Sequence, residues 1–583
     1  MKSNYNKYPS IKITGHDKEC WAGWEAITNA LQSSIKALGK KKTVVVIEAY
    51  PGVDETEVIT ALRNGLKPKV FINTESALLG PAKMNELTFA DVTDDRIFGY
   101  MTRLHMEQLF NDNRLYFLQC RVEDAQSGLI LVYGTGASLV AETCDILVYA
   151  DMARWEIQQR MRRHEVNSLG LSDRDLDAAS LYKRAYFVDW RVADRLKKKL
   201  IAKWDFVLDT NTKDNPKMAT GAAVRSALDQ AVQQPFRVVP LFDPGPWGGQ
   251  WMKKKFDLDR SAVNYAWCFD CVPEENSLML RFGKITMEIP SINLVFYQSK
   301  PLLGEKVFAR FGAEFPIRFD FLDTMNGGNL SLQVHPLTEY IRTHFGVFYT
   351  QDESYYMLDT GDDACVYLGL KEGIQPDLMI AELEDAQATG QFDAEKHVGK
   401  WAVKKHDHIL IPAGTVHCSG KNSMVLEISA TPYIFTFKLW DWGRLGLDGL
   451  PRPINIEHGK QNIDWSQTTD WVAKNLINRV ETIAEGNGWR EERTGLHETE
   501  FIETRRHWFS QKVHHDTCGN LNVLNLVQGT EAIVESPTGA FEPFVVHYAE
   551  TFIIPAALGE YTIRPFGASE GQECATLKAF VRC

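Results

Sequence analysis

The spacing of apolar residues changes near residue 230, and that change requires the chain to hold more than one architecture. Before it, short apolar runs alternate with stretches of helical periodicity. KTVVVIEAY leads into PGVDETEVITALRNGL, a loop entering a helix. LYFLQC and GLILVYGTG are further short runs, and DILVYAD precedes the helical pattern MARWEIQQRMRRH before WDFVLDT closes the series. Strands alternating with helices imply a parallel sheet covered on both faces. After QQPFRVVPLFDPGPWGG, a stretch rich in Pro and Gly that reads as a linker, the pattern becomes one of short β-rich runs between turn residues. LMLRFG, ITMEIP, SYYMLD, ACVYLGL, HILIPAG and VLEIS are examples, and their spacing predicts antiparallel sandwiches or barrels. One helical stretch is expected near DWVAKNLINRVETIAEG.

An internal echo divides the β-rich part. HILIPAGTVH (408–417) resembles TFIIPAALGEY (551–561), and SYYMLDTGDDACVYLG resembles LNVLNLVQGTEAIVES. Two small barrels in tandem are therefore expected. The second has Leu558-Gly559-Glu560 where the first has Thr415-Val416-His417, so chemistry is expected in the first. At 583 residues the chain is too long for one core. The expected layout is multidomain: an α/β parallel-sheet domain over 1–232, then two all-β barrels with a few helices, over 233–463 and 464–583.

The chain has 64 Lys+Arg against 76 Asp+Glu, a net charge of −12. Nucleic-acid and anionic-membrane binding need a basic surface, so neither is expected. MKSNYNKYPSIKITGHDKEC lacks the apolar core of a signal peptide, and no apolar run approaches a membrane span. The ten cysteines are scattered. Only CFDC (268–271) has metal or redox spacing, and in a strand-like run without a second pair it reads as buried thiols. A reduced, cytoplasmic protein is expected.

LSLQVHPL carries the sharpest chemical signal. Residues i and i+2 of a strand share a face, so Gln333 and His335 point the same way, and Pro336 ends the strand. Glu353 leads the next strand, and His417 follows the turn IPAG. Two imidazoles, a carboxylate and an amide oxygen from separate strands would make a four-ligand site for a borderline divalent metal. Singly, each has an ordinary reading as a packed histidine or a loop carboxylate.

In order, WGG, FLD, LSLQVHP, ESYYMLD, YLGLKEG, IPAGTVHCSG and VLEIS resemble the class I phosphomannose isomerases of the cupin superfamily. The likeness runs from about Phe242 to the C-terminus and is densest between Leu330 and Glu427. It implies cupin-type barrels, a cytoplasmic isomerase of mannose 6-phosphate and fructose 6-phosphate, and Gln333, His335, Glu353 and His417 as ligands of zinc or another divalent transition ion. It also implies an arginine near the reacting carbons, matched best by Arg444, with Arg452 where bacterial members carry another basic residue. Ser331 matches a serine near the sugar phosphate. Two lysines of the family are missing: Gln351 and Asp320 stand in their places, leaving Arg318 as the nearby cation for phosphate. The acid/base group stays open among Glu427, Lys438 and a metal-bound water. The lost lysines leave room for another sugar or sugar phosphate, or for a non-catalytic sugar sensor or scaffold.

The first third has the strand–loop–helix order of a phosphate-binding loop, but GxxxxGK[ST] is absent and no lysine occurs between Lys42 and Lys67. Gly134 and Gly136 make too short a match to stand in for it. The segment looks like a nucleotide-kinase-type domain with a degenerate loop, structural or regulatory in role. Arg160, Arg162 and Arg163 are expected on a solvated helix face.

Overall fold

The computed structural model describes residues 3–430, 435–445, 452, 454–495, 497 and 500–582. In the first third a seven-stranded sheet runs in the order Cys20–Ala22, Lys217–Thr220, Phe206–Asp209, Ile146–Asp151, Lys42–Ala49, Gly128–Gly134, Val70–Asn73. The five strands from Phe206–Asp209 to Val70–Asn73 are parallel, and the other two add antiparallel at one edge. Lys42–Ala49 shows why the sequence VVVI is apolar at every position: Val45 and Ile47 enter one core, Val44 and Val46 the other. Helices Trp24–Ala37 and Glu55–Leu66 cover the first face through Ile27, Leu31, Val58 and Leu62. The opposite face is continuous with the core of the β-rich part.

Downstream, two sheets face each other. One has the order His408–Ile411, Glu353–Thr360, Ser423–Ser429, Arg318–Asp323, Trp267–Cys271, Leu241–Asp243. The other runs Val398–Ala402, Cys365–Leu370, His417–Ser419, Leu332–Val334, Phe437–Trp440. A second facing pair, of six and four strands, lies between Glu481 and Val581 and encloses its own core of Phe509, Leu524, Val534, Phe552 and Ile563. Antiparallel pairing with inward apolar residues accounts for the short alternating runs.

The structure departs from several local expectations. LYFLQC lies within helix Asp112–Asp124, and ETIAEG forms strand Glu481–Gly486 after a helix that ends at Asn475. Ser10–Ile13 pairs in parallel with Ser277–Phe282, so the first strand of the chain joins a sheet built from residues beyond 232. Arg160 is buried and donates to the Gly52 and Thr210 carbonyls, Arg162 binds Asp243, and Arg163 pairs with Glu156 and Glu165. Arg162 and Arg163 are thus exposed and ion-paired on the helix surface, as expected, while Arg160 departs from the expectation as a buried tie. At the loop where a phosphate would sit, the Asp54 carboxylate caps helix Glu55–Leu66 by accepting from the Glu57 amide at 3.0 Å. Cys268 and Cys271 are buried and unpaired, while Cys583 lies outside the described residues. Among the described residues no helix is long and apolar enough to cross a membrane.

Candidate metal centre

Gln333 and His417 are direct partners across an antiparallel pairing, which sets their side chains beside each other on the inner face of the five-stranded sheet. His335 follows one residue after strand Leu332–Val334, and Glu353 opens its strand on the facing sheet. The structure brings all four together. His417 Nε2 stands 2.8 Å from Glu353 Oε1, His335 Nε2 stands 3.1 Å from Oε2, and the Gln333 amide is 3.2 Å from His417 Nε2. The candidate ligand atoms of His335, Glu353 and His417 lie within 4.8 Å of one another, the one such group among the described residues.

The donor set fits a divalent cation on hydrogen-bonding grounds. His335 Nδ1 is 3.0 Å from the Phe435 carbonyl, and His417 Nδ1 is 2.8 Å from the Thr415 carbonyl. A carbonyl only accepts, so each Nδ1 carries the proton and each Nε2 a lone pair. Those lone pairs face the ionised Glu353 with no proton between them, and buried His335 Nε2 and Glu353 Oε1 make no hydrogen bond. Lone pairs converging in a dry site repel unless a cation lies among them. Burial raises the Glu353 pKa, and only positive charge on the imidazole side of the carboxylate holds it well below the usual range, a charge that a bound cation would supply. Rotating the Gln333 amide by a half-turn presents its oxygen to the same point.

Beside the centre lies a cavity of about 310 Å³, within the size of small-molecule sites. Strand Arg318–Asp323 faces it with Arg318, Asp320 and Leu322. Arg318 does not stand as the free cation expected there: its guanidinium donates to Asp320 at 2.9 Å and to Glu427 at 2.8 Å. Burial pushes Asp320 up to about 6, and burial with Asp320 and Glu353 nearby raises Glu427 well above the carboxylate range. Gln351 donates to Glu353 Oε2 at 2.9 Å, so the residue in place of the family lysine supports a candidate ligand. Lys438, Arg452 and Ser331 line another side of the cavity. Burial, assisted by Arg452, pulls the Lys438 ammonium down to about 8.

Asp441 is the residue that sequence reasoning missed. Its carboxylate accepts from Ser331 Oγ at 2.7 Å, pairs with Arg452 at 2.7 Å and binds Arg444. Arg444 also donates to the Asn329 carbonyl and is not among the cavity-lining residues. It acts on the cavity through Asp441. The second sheet pair buries His507 against His515, ring centres 4.5 Å apart, with Glu491 Oε1 3.0 Å from His507 Nε2, but among the described residues these do not converge as a metal-ligand group.

A family model described as a domain of unknown function, DUF8485, matches residues 23–233. Among curated proteins, the mannose-6-phosphate isomerase of Streptococcus mutans is 26% identical over 220 residues, covering 37% of this chain and 63% of that protein. Mannose-6-phosphate isomerase ManA of Bacillus subtilis is 28% identical over 153 residues, 26% of this chain and 45% of that protein. The chain thus spans less than two thirds of the length of these relatives. The crystal structure of mannose 6-phosphate isomerase from Bacillus subtilis aligns with 59% of this chain and 99% of its own, at 18% identity and a TM-score of 0.48. Part of this chain is therefore similar to mannose-6-phosphate isomerases, and its first third to a family of undescribed function.

Proposed function

We propose that the protein is a metal-dependent aldose–ketose isomerase that interconverts mannose 6-phosphate and fructose 6-phosphate through an enediolate, its catalytic barrel of cupin type. The observation that carries the reading is the convergence of Gln333, His335, Glu353 and His417, with both imidazole lone pairs turned inward. These four residues would hold zinc or another divalent transition ion. When bound, such an ion supplies a Lewis acid for the sugar oxygens.

The remaining chemistry falls to side chains around the cavity. Isomerisation takes a proton from C2 and returns one to C1, which needs a group titrating near neutrality. Lys438 meets that requirement, with its pKa near 8 and no ion pair to its ammonium among the described residues. Glu427, raised by burial, is the second candidate. Ser331 and Arg452, both set by Asp441, offer a hydroxyl and a guanidinium to a phosphate. A second reading keeps the chemistry and changes the substrate to an unphosphorylated sugar. It is favoured by Arg318, whose charge Asp320 and Glu427 already absorb.

The test is turnover by chelator-stripped and zinc-restored protein in deuterated water. Mannose 6-phosphate should convert to fructose 6-phosphate with solvent deuterium entering the product, only after zinc is restored. Mannose turned over in preference selects the second reading. No exchange on either sugar by zinc-loaded protein would falsify the isomerase proposal.

A further inference from the structure

One wall of the cavity comes from outside the β-rich part. Trp155 and Gln158, on helix Arg154–Arg162, and Tyr182, on helix Ala178–Arg184, line it together with Gln333, Glu353 and Lys438. They are held in place by bonds that cross between the two parts. Gln158 donates to Glu275 at 2.5 Å, and the Tyr182 hydroxyl donates to the other oxygen of that carboxylate at 3.2 Å. Arg162 grips Asp243 with two parallel bonds of 2.7 Å, a bidentate geometry that fixes direction as well as distance. A second route reaches the candidate ligands themselves. Phe98 and Phe187 pack on Phe435, ring centres 6.2 and 6.1 Å away, and the Phe435 carbonyl is the acceptor that orients His335.

We infer that the α/β unit is the substrate-selecting wall of the isomerase cavity, with Trp155 and Tyr182 limiting it to a single hexose or hexose phosphate and the Arg162–Asp243 pair positioning that wall. The inference rests on the isomerase reading and adds to it a role for the first third of the chain. A half-buried indole that lines the same cavity as carboxylates and a lysine, its ring carrying the Arg162 guanidinium at 5.2 Å, suits the apolar face of a pyranose whose hydroxyls bond the polar groups. The wall also shields the metal centre from solvent and from bulkier solutes.

The test uses the full chain loaded with zinc, in five forms: wild type, Trp155→Ala, Trp155→Phe, Arg162→Glu, and Arg162→Glu with Asp243→Arg. Two readouts are taken, steady-state turnover of mannose 6-phosphate and the rate at which a soluble chelator strips the zinc. Trp155→Ala should raise KM about tenfold with kcat changed less than about threefold, and Trp155→Phe should recover most of the loss. Zinc loss should quicken about tenfold in Trp155→Ala and Arg162→Glu, and the charge-swapped double variant should return it towards wild type. Unchanged KM and unchanged stripping in Trp155→Ala overturn the wall while leaving the isomerase intact. Wild type that holds zinc but turns over no hexose phosphate overturns the isomerase, and the stripping rates then decide the wall alone. A chain that takes up no zinc overturns both.

Discussion

Glu353 is the residue on which the centre turns, because it alone faces both imidazoles. Glu353→Gln keeps the shape and removes the charge. It should abolish stoichiometric zinc binding, read by metal analysis, and lower kcat/KM by about a thousandfold or more. In chelator the same variant should melt no lower than wild type, since the metal-free wild type holds a carboxylate against two lone pairs; a lower melting point would refute that account of the site. His408 makes a separate prediction. Burial takes its pKa down to about 3, and neither ring nitrogen has a hydrogen-bond partner. The unfolded chain protonates this imidazole near 6.5 and the folded chain does not, so the unfolded state binds more protons between those values. Stability is full above about 6.5 and falls as pH drops, at about 1.4 kcal/mol per unit for this group. His408→Phe should flatten that acid slope between pH 6.5 and 5 in denaturant titrations by about one proton. Of the candidate ligands, Gln333 and His335 were legible because strand period and Pro336 fix their faces locally, whereas Glu353 and His417 were assigned through the family resemblance. Asp441 was not, because its importance arises only when Ser331, 110 positions away, meets Arg444 and Arg452.

Two elements show where local reading fails. Strand Glu481–Gly486 pairs with Trp489–Gly495, Gly486 opposite Trp489, so Asn487-Gly488 forms a two-residue turn with Gly488 at φ 74°. Asn-Gly is the strongest short hairpin signal, and the longer helical pattern before it masked it. LYFLQC has the opposite problem. Its helix is capped by the Asn111 side chain and buries Leu118 and Val122, four apart, while leaving Tyr116 and Phe117 exposed. Four apolar letters in a row, Leu115 to Leu118, hid a sparsely buried helix. The first strand, Ser10–Ile13, was invisible for a different reason: its partner lies more than 260 positions away. Just before it, Tyr5 stacks on Phe256 at 3.9 Å and donates to buried Asp270 at 2.6 Å. Tyr5→Ala should cost about 3–5 kcal/mol. Tyr5→Phe should cost about 1–3 kcal/mol, because Asp270 then loses a donor in a dry site. Equilibrium denaturation measures both, and a Tyr5→Phe variant as stable as wild type would show the segment is only draped on the surface.

Across the molecule, the parts expected from the sequence as separate pieces share one interior. A single core runs from Val44 and Val46 of the α/β sheet through Trp247, Phe319 and Phe321 of the first sheet pair to Val523 and Leu577 of the second. A polar seam crosses it: Lys197 lies 2.9 Å from Asp151 and 3.2 Å from Asn293, and Asn293 donates to Asp151 at 2.7 Å. Both charged side chains are 1% exposed. Such a pair contributes little net stability when intact, yet breaking it strands a charge at a cost of about 3–5 kcal/mol. Lys197→Met should therefore destabilise the chain by that amount, and Lys197→Met with Asp151→Asn should recover a large part of it. The position of the cost tells which body it belongs to. If the α/β unit and the first sheet pair unfold together, calorimetry shows one transition for both, and Lys197→Met moves the whole of it downward. Two resolved transitions, with only one shifted by Lys197→Met, would mean that the seam belongs to one part alone and that the cavity wall is carried by a body able to leave the barrel.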